Sequence, residues 1–322
     1  MASEPALHDA VSETAAAIAS MEIRGASAIA DAAAAALAAQ ASASEATDPE
    51  SFRAELRAAC RTLHDTRPTA VSLPNALRYV LQGLEGDTVE ALRRSTLESA
   101  EAFRANLDRA QDRLGRVGAN RLRDGDVVMT HCHSTDVLAC IEAALDQGKS
   151  LSAVVKETRP RNQGHLTARR LRDLDVPVTL IVDNAAHRFL AEVDHVLVGA
   201  DAVAADGSVI NKIGTSGLAV SARDRGVPFM VAAQTIKLDP ATLEGHTVPI
   251  ELRDESEVVD EATRAGLGGV EVANPAFDVT PPRHVDAIVT EAGQFPPESV
   301  VTLMRELFGR EVEAPWAAEG SG

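Results

Sequence analysis

This chain of 322 residues contains little lysine and few aromatic residues, which make up 3% of the sequence. Acidic residues outnumber basic ones by 48 to 31, and the only lysines are Lys149, Lys156, Lys212 and Lys237. In molar salt the Debye length falls to about 3 Å, so surface carboxylates no longer repel one another and serve mainly to hold water and cations. The composition predicts adaptation to a high-salt cytoplasm; the alternative is an ordinary acidic protein. Because arginine replaces lysine elsewhere, each remaining lysine can mark a position that needs a compact ammonium group.

The chain also lacks long apolar runs and paired cysteines. No run approaches the roughly 20 residues of a membrane-spanning helix. The first segment is acidic and has no basic region before an apolar stretch, so no signal peptide is predicted. Cys60, Cys132 and Cys140 form no CxxC pair, which favours a reducing interior over a disulfide framework. A net charge of −17 disfavours nucleic acid and anionic membranes as partners. We therefore expect a cytoplasmic protein in which an anionic substrate needs a local basic cluster.

Two regions of different periodicity follow one another. Residues 7–117 carry apolar residues at helical spacing, interrupted at 66–75, where two prolines predict a loop. From residue 121 onward, short β-rich runs alternate with helical patterns; these runs cover 127–132, 152–157, 176–183, 195–201 and 227–233. Buried parallel strands have this pattern. The sequence predicts an α/β protein with a helical N-terminal domain, residues 1–120, and a doubly wound parallel-sheet domain, residues 121–322. Residues 317–322 are expected to be disordered.

The motif THCHSTD places a cysteine between a strand and a helix. Cys132 ends the strand, and Ser134 or Thr135 is suited to cap the helix that follows. A thiol next to a helix N-terminus and between His131 and His133 is in a setting that lowers its pKa. Two alternatives stay open: a buried cysteine that packs as a small apolar residue, and a metal site built on the two histidines.

The segment VLVGADAVAADGSVINKIGT contains a second candidate. Asp201 ends an apolar strand, where burial favours the protonated carboxyl and hence an acid; the alternative is an aspartate that caps a turn. Asp206 and Gly207 predict a hairpin turn. Gly214 to Gly217 are expected to open a helix whose amides face an anion.

Basic side chains recur in loops and at strand ends. In doubly wound sheets ligands bind beyond the carboxyl ends of the strands, so these residues together predict an anion site, although each alone is typical of a surface charge. They are Arg24, Arg67, Lys156, Arg159, Arg161, Lys212 and Lys237.

Several motifs occur along the chain in a fixed order: RGASAI, RPTAVSLPNAL, THCHS, ETRPRNQG, GADAV…DGSVINKIGT, and a lysine after VPFMVAA. In these motifs the sequence resembles the archaeal ribose-1,5-bisphosphate isomerases. They are a branch of the superfamily that also contains methylthioribose-1-phosphate isomerases and regulatory subunits of the exchange factor for translation initiation factor 2. The resemblance covers nearly the whole chain. It implies a helical domain followed by a Rossmann-like domain, and a homo-oligomer, either a dimer or a hexamer.

The resemblance also implies a site and a reaction. Its catalytic cysteine and aspartate fall on Cys132 and Asp201, which would act as base and acid in converting ribose 1,5-bisphosphate to ribulose 1,5-bisphosphate, without a metal or organic cofactor. The implied substrate contacts are Arg24, Gly25, Ala26, Ser27, Arg67, Ser134, Thr135, Asp136, Asn211, Lys212 and Lys237. Two alternatives remain: a methylthioribose-1-phosphate isomerase, and a non-catalytic regulatory subunit that needs neither Cys132 nor Asp201.

Overall fold

The computed structural model describes residues 7–67, 70–308 and Trp316. The tail 317–322, predicted to be disordered, lies outside these residues. The described chain divides into two compact units, the first running to Ala110 and taking in Phe308 and Trp316, and the second covering Gln111–Leu307. The domain limits of 1–120 and 121–322 stay a prediction. None of the helices in the described ranges is long and apolar enough to cross a membrane.

The first unit is helical, as predicted. Its helices are α1 (Asp9–Ala19), α2 (Ala26–Ala43), α3 (Pro49–His64), α4 (Ser72–Gln82) and α5 (Val89–Ala119), the last of which continues into the second unit. The small side chains of the alanine-rich α2 let α1, α3 and α4 pack against it. Asp48 caps α3 by accepting a hydrogen bond from the amide of Ser51, and Pro49 occupies its first turn.

The loop predicted at residues 66–75 is wrong at its end, because α4 already begins at Ser72. Pro74 lies in the first turn of α4, where the proline's missing N–H costs no intrahelical hydrogen bond. The Ser72 hydroxyl donates to the carbonyl of Ala26 at 2.8 Å. The start of α4 therefore holds the start of α2.

The second unit is an α/β unit, which confirms the predicted fold class. Its strands are β1 (Val127–Thr130), β2 (Ser152–Lys156), β3 (Val178–Ile181), β4 (His195–Gly199), β5 (Ala202–Val203), β6 (Val209–Lys212), β7 (Phe229–Ala232), β8 (Phe277–Thr280), β9 (Ala287–Thr290) and β10 (Gly293–Phe295). Its helices after α5 are α6 (Thr135–Asp146), α7 (Gly164–Arg172), α8 (Ala186–Phe189), α9 (Thr215–Arg225), α10 (Glu261–Leu267) and α11 (Val300–Phe308), which ends one residue beyond this unit.

Two sheets organise this unit. The larger has seven strands in the order β10-β9-β7-β4-β1-β2-β3 and is parallel except for β10. The smaller, in the order β5-β6-β8, is antiparallel. The turn from β5 to β6 contains Asp206 and Gly207, so the predicted hairpin is confirmed.

The direction in which the larger sheet grows reverses next to β1. The chain runs outward from β1 through β2 to β3, then returns to β4 on the other side of β1 and runs outward again through β7 and β9. At such a reversal the loops that follow the two central strands separate and leave a crevice at their carboxyl ends. The crevice of this unit therefore lies beyond Thr130 of β1 and Gly199 of β4.

Candidate functional site

Polar and reactive side chains follow several parallel strands at the same edge of the sheet. Cys132 follows β1, Asp201 follows β4, and Lys237 lies in the short turn after β7. The strands β1 and β4 pair directly. A Cβ atom at Gly199 would overlap the Ser134 hydroxyl, so the end of β4 and the start of α6 are in close contact. Cys132 and Asp201 therefore lie on either side of the crevice.

Cys132 adopts a left-handed backbone conformation with φ at 69°, which costs an L-residue about 1–2 kcal/mol. Its N–H donates to the Thr158 hydroxyl at 2.9 Å. Its carbonyl accepts a hydrogen bond from the Thr167 hydroxyl at 2.8 Å. We call these two contacts the threonine clamp, since they hold both peptide groups that set the direction of the thiol.

The network continues to His131, which is 1% exposed. Its Nε2 lies 2.8 Å from the carbonyl oxygen of Ile213, which can only accept, so Nε2 carries the hydrogen. Burial and the charge of Lys156 lower the pKa of His131, so the ring is neutral. Nδ1 then accepts from the Thr158 hydroxyl at 3.2 Å. The Thr158 hydroxyl also lies 3.1 Å from the carbonyl of Lys156, so Nδ1 shares this donor. Nε2 carries a hydrogen and Nδ1 faces a hydroxyl, an arrangement that disfavours the metal site built on the two histidines.

The expected lowering of the thiol pKa is wrong. Burial raises the pKa of Cys132 from 9.0 to about 11, although the charge of Lys212 acts in the opposite direction. The negative charge of Asp201 raises the pKa further. Loss of solvent therefore outweighs the neighbouring cation and the helix N-terminus.

Three of the four lysines are buried in this unit. Lys156 is 3% exposed, and Lys212 and Lys237 are each 6% exposed. The Lys237 ammonium lies 2.6 Å from Asp136, which also accepts from the side-chain amide of Gln234 at 2.9 Å. Lys156 donates to the carbonyl of Gly214 at 3.2 Å. Two of the three thus have acceptors inside the protein.

Lys212 differs from the other two. Its ammonium lies 4.8 Å from the centroid of the Phe277 ring, and no residue in the described ranges accepts a hydrogen bond from it. Burial lowers the pKa of Lys212, while the nearby thiol of Cys132 raises it. A buried ammonium is costly unless it is paired with a negative charge, so this position next to the crevice favours binding of an anion.

The helix expected at Gly214 to Gly217 is confirmed as α9, which begins at Thr215 after Gly214 with φ at 96°. Two of the amides at its start face an acidic group of the protein itself. Asp278 on β8 accepts hydrogen bonds from the amides of Gly214 at 2.8 Å and Ser216 at 3.1 Å. Burial raises the pKa of the Asp278 carboxyl. The anion at this helix terminus is thus a carboxylate of the protein.

The second unit brings most of the predicted site to one edge. Ser134 caps α6 by accepting from the amide of Val137, as expected, and Asn211 donates to the Thr215 hydroxyl at 3.0 Å. The predicted residues after the parallel strands are Cys132, Ser134, Thr135, Asp136, Asp201 and Lys237. Asn211 and Lys212 lie on β6 of the smaller sheet, and the charge of Lys212 acts on the Cys132 thiol. The remaining predicted contacts, Arg24, Gly25, Ala26, Ser27 and Arg67, lie in the first unit, and their role stays a prediction.

Sequence reasoning missed Thr158, which accepts from the N–H of Cys132, and Arg253, whose charge acts on Lys212. Thr158 is the second residue of the ETRPRNQG motif. The motif was interpreted through its basic residues, and the hydroxyl of Thr158 was not considered. Arg159 donates to the carbonyl of Val258 and Arg161 pairs with Glu257, so both arginines hold a neighbouring segment. Arg253 lies in an irregular segment without periodicity, and no sequence signal identified it.

Comparison with known proteins gives consistent matches over nearly the whole chain. The sequence pattern of the Initiation factor 2 subunit family matches residues 22–297. The chain is 71% identical to a ribose 1,5-bisphosphate isomerase from Haloferax volcanii, covering 97% of this chain and 96% of the relative. It is 67% identical to a protein of the same name from Haloterrigena turkmenica, covering 97% and 98%. Among solved structures, translation initiation factor eIF-2B from Pyrococcus horikoshii is similar, with a TM-score of 0.79, 29% identity, and coverage of 92% of this chain and 100% of that one.

Proposed function

Since the chain belongs to the Initiation factor 2 subunit family, we propose that it isomerises ribose 1,5-bisphosphate to ribulose 1,5-bisphosphate in pentose bisphosphate and AMP metabolism. The relatives that are 71% and 67% identical carry the name ribose 1,5-bisphosphate isomerase. The structural observation that supports the proposal most is the position of Cys132 and Asp201 across the crevice between β1 and β4, beside the ammonium of Lys212. A thiol and a carboxyl supply a base and an acid.

The substrate sets the order of the chemical steps. A phosphate on the anomeric oxygen prevents the ring from opening by simple loss of a hydroxyl proton. Asp201 therefore protonates the ring oxygen as the ring opens. The Cys132 thiolate removes the proton from carbon 2 and, as the thiol, returns it to carbon 1 of the enediolate-like species. The hydroxyl on carbon 2 gives its proton to the Asp201 carboxylate, which yields the ketone and restores both groups. Lys212 stabilises the negative charge that develops. This sequence requires no metal or organic cofactor.

The phosphate groups need cations near the crevice. We assign the phosphate contacts to Lys212 and Lys237 of the second unit. The resemblance adds Arg24 and Arg67 as further phosphate contacts. Lys237 is already paired with Asp136, so it contributes through a charged pair that orders the site. We further expect a cytoplasmic homo-oligomer, either a dimer or a hexamer, that does not bind nucleic acid or membranes.

A methylthioribose-1-phosphate isomerase would perform the same chemistry on a substrate with an apolar thioether at carbon 5. It needs an apolar pocket there, whereas a bisphosphate needs positive charge at both ends. A regulatory subunit would need no acid–base pair. The buried Lys212 ammonium beside the thiol favours catalysis on an anionic substrate over the regulatory alternative.

Substrate comparison tests the proposal directly. The protein is incubated separately with ribose 1,5-bisphosphate, methylthioribose 1-phosphate and ribose 1-phosphate, and ketose formation is followed by NMR. We expect rapid turnover of the bisphosphate alone, because removal of one phosphate leaves buried cations unpaired. Turnover of ribose 1-phosphate at the same rate would contradict the bisphosphate assignment.

Two substitutions test the acid–base pair. Cys132→Ser exchanges the thiol for a hydroxyl too weakly acidic to act as base, and Asp201→Asn removes the transferable proton. Each should lower kcat by at least about 10²-fold while substrate affinity changes only a few-fold. Cys140→Ala, at a buried cysteine in α6, serves as control and should keep kcat. A folded Cys132→Ser protein with wild-type kcat would refute the role assigned to the thiol.

A further inference from the structure

Arg253 is a buried cation that none of the steps above uses. Its side chain is 8% exposed, and its Nε donates to Glu251 at 2.8 Å. Its backbone N–H donates to the carbonyl of Asn274 at 2.9 Å. The backbone and one nitrogen of the guanidinium are thereby fixed. Within the described ranges, no residue accepts a hydrogen bond from its two terminal amino groups.

Arg253 shares an aromatic ring with Lys212. The guanidinium carbon lies 5.6 Å from the centroid of Phe277, and the Lys212 ammonium lies 4.8 Å from the same centroid. Phe277 and Lys212 are directly paired across the β6–β8 ladder, so this arrangement is built into the small sheet. Two cations beside one ring repel each other, and the charge of Arg253 lowers the pKa of Lys212.

The two cations also lie next to the reactive thiol. Lys212 precedes Ile213, whose carbonyl is hydrogen-bonded to His131 at 2.8 Å, and His131 precedes Cys132. The charges of Lys212 and Arg253 both lower the pKa of the Cys132 thiol. Buried like charges need a compensating anion. Glu251 supplies part of this negative charge, because it accepts from the Arg253 Nε at 2.8 Å and, like Asp201, raises the pKa of Lys212.

We propose that Arg253 and Lys212 together bind a phosphate group of the substrate beside Cys132. The assignment rests on the proposed function, and it adds a residue that binds the reacting end of the sugar. The planar guanidinium presents its remaining donors in a fork that matches two phosphate oxygens, and the compact ammonium supplies a further charge. Glu251 sets the orientation of the fork. The Phe277 ring attracts both charges, at 4.8 Å and 5.6 Å from its centroid, and so offsets part of their repulsion in the absence of substrate.

Binding of inorganic phosphate, measured by calorimetry at a fixed high salt concentration, tests the proposal without requiring turnover. Arg253→Met removes the charge and the fork but keeps much of the apolar stem. It should weaken phosphate binding by roughly ten-fold or more, since hydrogen bonds to charged groups are at stake. Arg253→Lys keeps the charge and should give an intermediate loss. Arg264→Met is the matched control, because Arg264 pairs with Glu255 in the same segment and is 38% exposed; it should bind phosphate as the wild type does.

The outcomes separate this inference from the proposed isomerase activity. Unchanged phosphate affinity in a folded Arg253→Met protein overturns the inference, even if the wild type isomerises the bisphosphate. A loss of phosphate binding supports it, even if the wild type turns over none of the sugars. If the Arg253→Met protein does not fold, the Arg253→Lys protein provides the test. Wild-type phosphate affinity in that variant would overturn the claim that the guanidinium fork binds the phosphate.

Discussion

The Cys132 thiol lies in surroundings that act on its ionisation in opposite directions. Burial raises its pKa to about 11, whereas the cations of Lys212 and Arg253 lower it. The free enzyme therefore holds the thiol protonated at neutral pH, and the thiolate is a minor form. Activity then depends on how strongly the two cations offset the loss of solvent.

The pH dependence of kcat/KM follows from this balance, because kcat/KM reports groups of the free enzyme. If the thiolate is the base, the residual kcat/KM of an Asp201→Asn protein, in which loss of a proton from the acid no longer cancels the gain of thiolate, should rise by about ten-fold per pH unit through the neutral range and level off only as pH approaches the thiol pKa. Lys212→Met should move the rise to higher pH, since a cation that favours the thiolate is lost. A flat profile across the neutral range in the Asp201→Asn protein would contradict a thiolate base with so high a pKa.

At this scale the sequence was a good guide to residue types and a poor one to their energetics. The positions of Cys132 and Asp201 at neighbouring strand ends follow from strand periodicity and the resemblance. The sign of the thiol pKa shift does not, because it depends on how much of the side chain is buried by distant segments. Arg253 was missed for the same reason. Its position next to Lys212 depends on contacts with Glu251 and Phe277 that form only when the chain folds.

At the scale of whole elements, the end of β1 is held by the loop after β2 and by α7 through the threonine clamp. Thr158 accepts from Cys132 and donates to His131, while Thr167 donates to the Cys132 carbonyl. A left-handed residue persists only when its surroundings hold it there. The direction of the thiol is thus fixed by two neighbouring elements.

Removal of one clamp hydroxyl should affect both stability and rate. Thr158→Val keeps the shape but leaves the buried N–H of Cys132 and Nδ1 of His131 without partners, so the free energy of unfolding should fall by about 1–3 kcal/mol per group. We expect kcat to fall by roughly ten-fold or more because the thiol loses its position, with KM little changed. Steady-state kinetics and denaturant unfolding provide the measurements.

Two controls separate positioning from general destabilisation. Thr158→Ser keeps the hydroxyl and should retain most of kcat, whereas Thr179→Val, on an exposed position of β3, should leave both quantities unchanged. Wild-type kcat in Thr158→Val would show that the clamp does not position the thiol.

Element boundaries show where sequence periodicity stops being informative. The five β-rich runs were found because each contains a parallel strand, and four of these strands, β1, β2, β4 and β7, are almost entirely buried. The strands β8, β9 and β10 were not predicted. Length alone does not explain this, because β8 and β9 contain four residues, as β1, β3 and β7 do. The start of α4 was missed because proline was read as a helix breaker, although the first turn tolerates it.

The whole molecule carries a formal net charge of −17, yet its proposed substrate is also negative. Long-range repulsion would slow the encounter at low ionic strength. The relatives from Haloferax volcanii and Haloterrigena turkmenica agree with the composition in indicating a salt-rich setting, where this repulsion is screened. Recognition must then rest on direct contacts such as those of Lys212 and Arg253.

The Michaelis constant for the bisphosphate should accordingly be nearly flat between about 1 and 3 M KCl, where the Debye length is about 3 Å or less. Direct, charge-assisted hydrogen bonds in a closed site are screened far less than exposed charges. Initial rates across this range provide the measurement. A rise of roughly ten-fold in KM would indicate that diffuse electrostatics hold the substrate.

The reversal of strand order between β1 and β4 has a consequence for how the chain folds. The Asp194 carboxylate just before β4 accepts from the N–H of Val127 at the start of β1 across 67 residues, and the pairing of these strands has a similar sequence separation. Neighbours such as β1 and β2 can dock over shorter loops, so they bear a smaller entropic cost of closure. An intermediate made of β1, β2 and β3 would contain the thiol without its carboxyl partner. We therefore expect the proposed acid–base pair to be assembled late, when β4 docks, so that the appearance of activity during refolding would report completion of the central sheet.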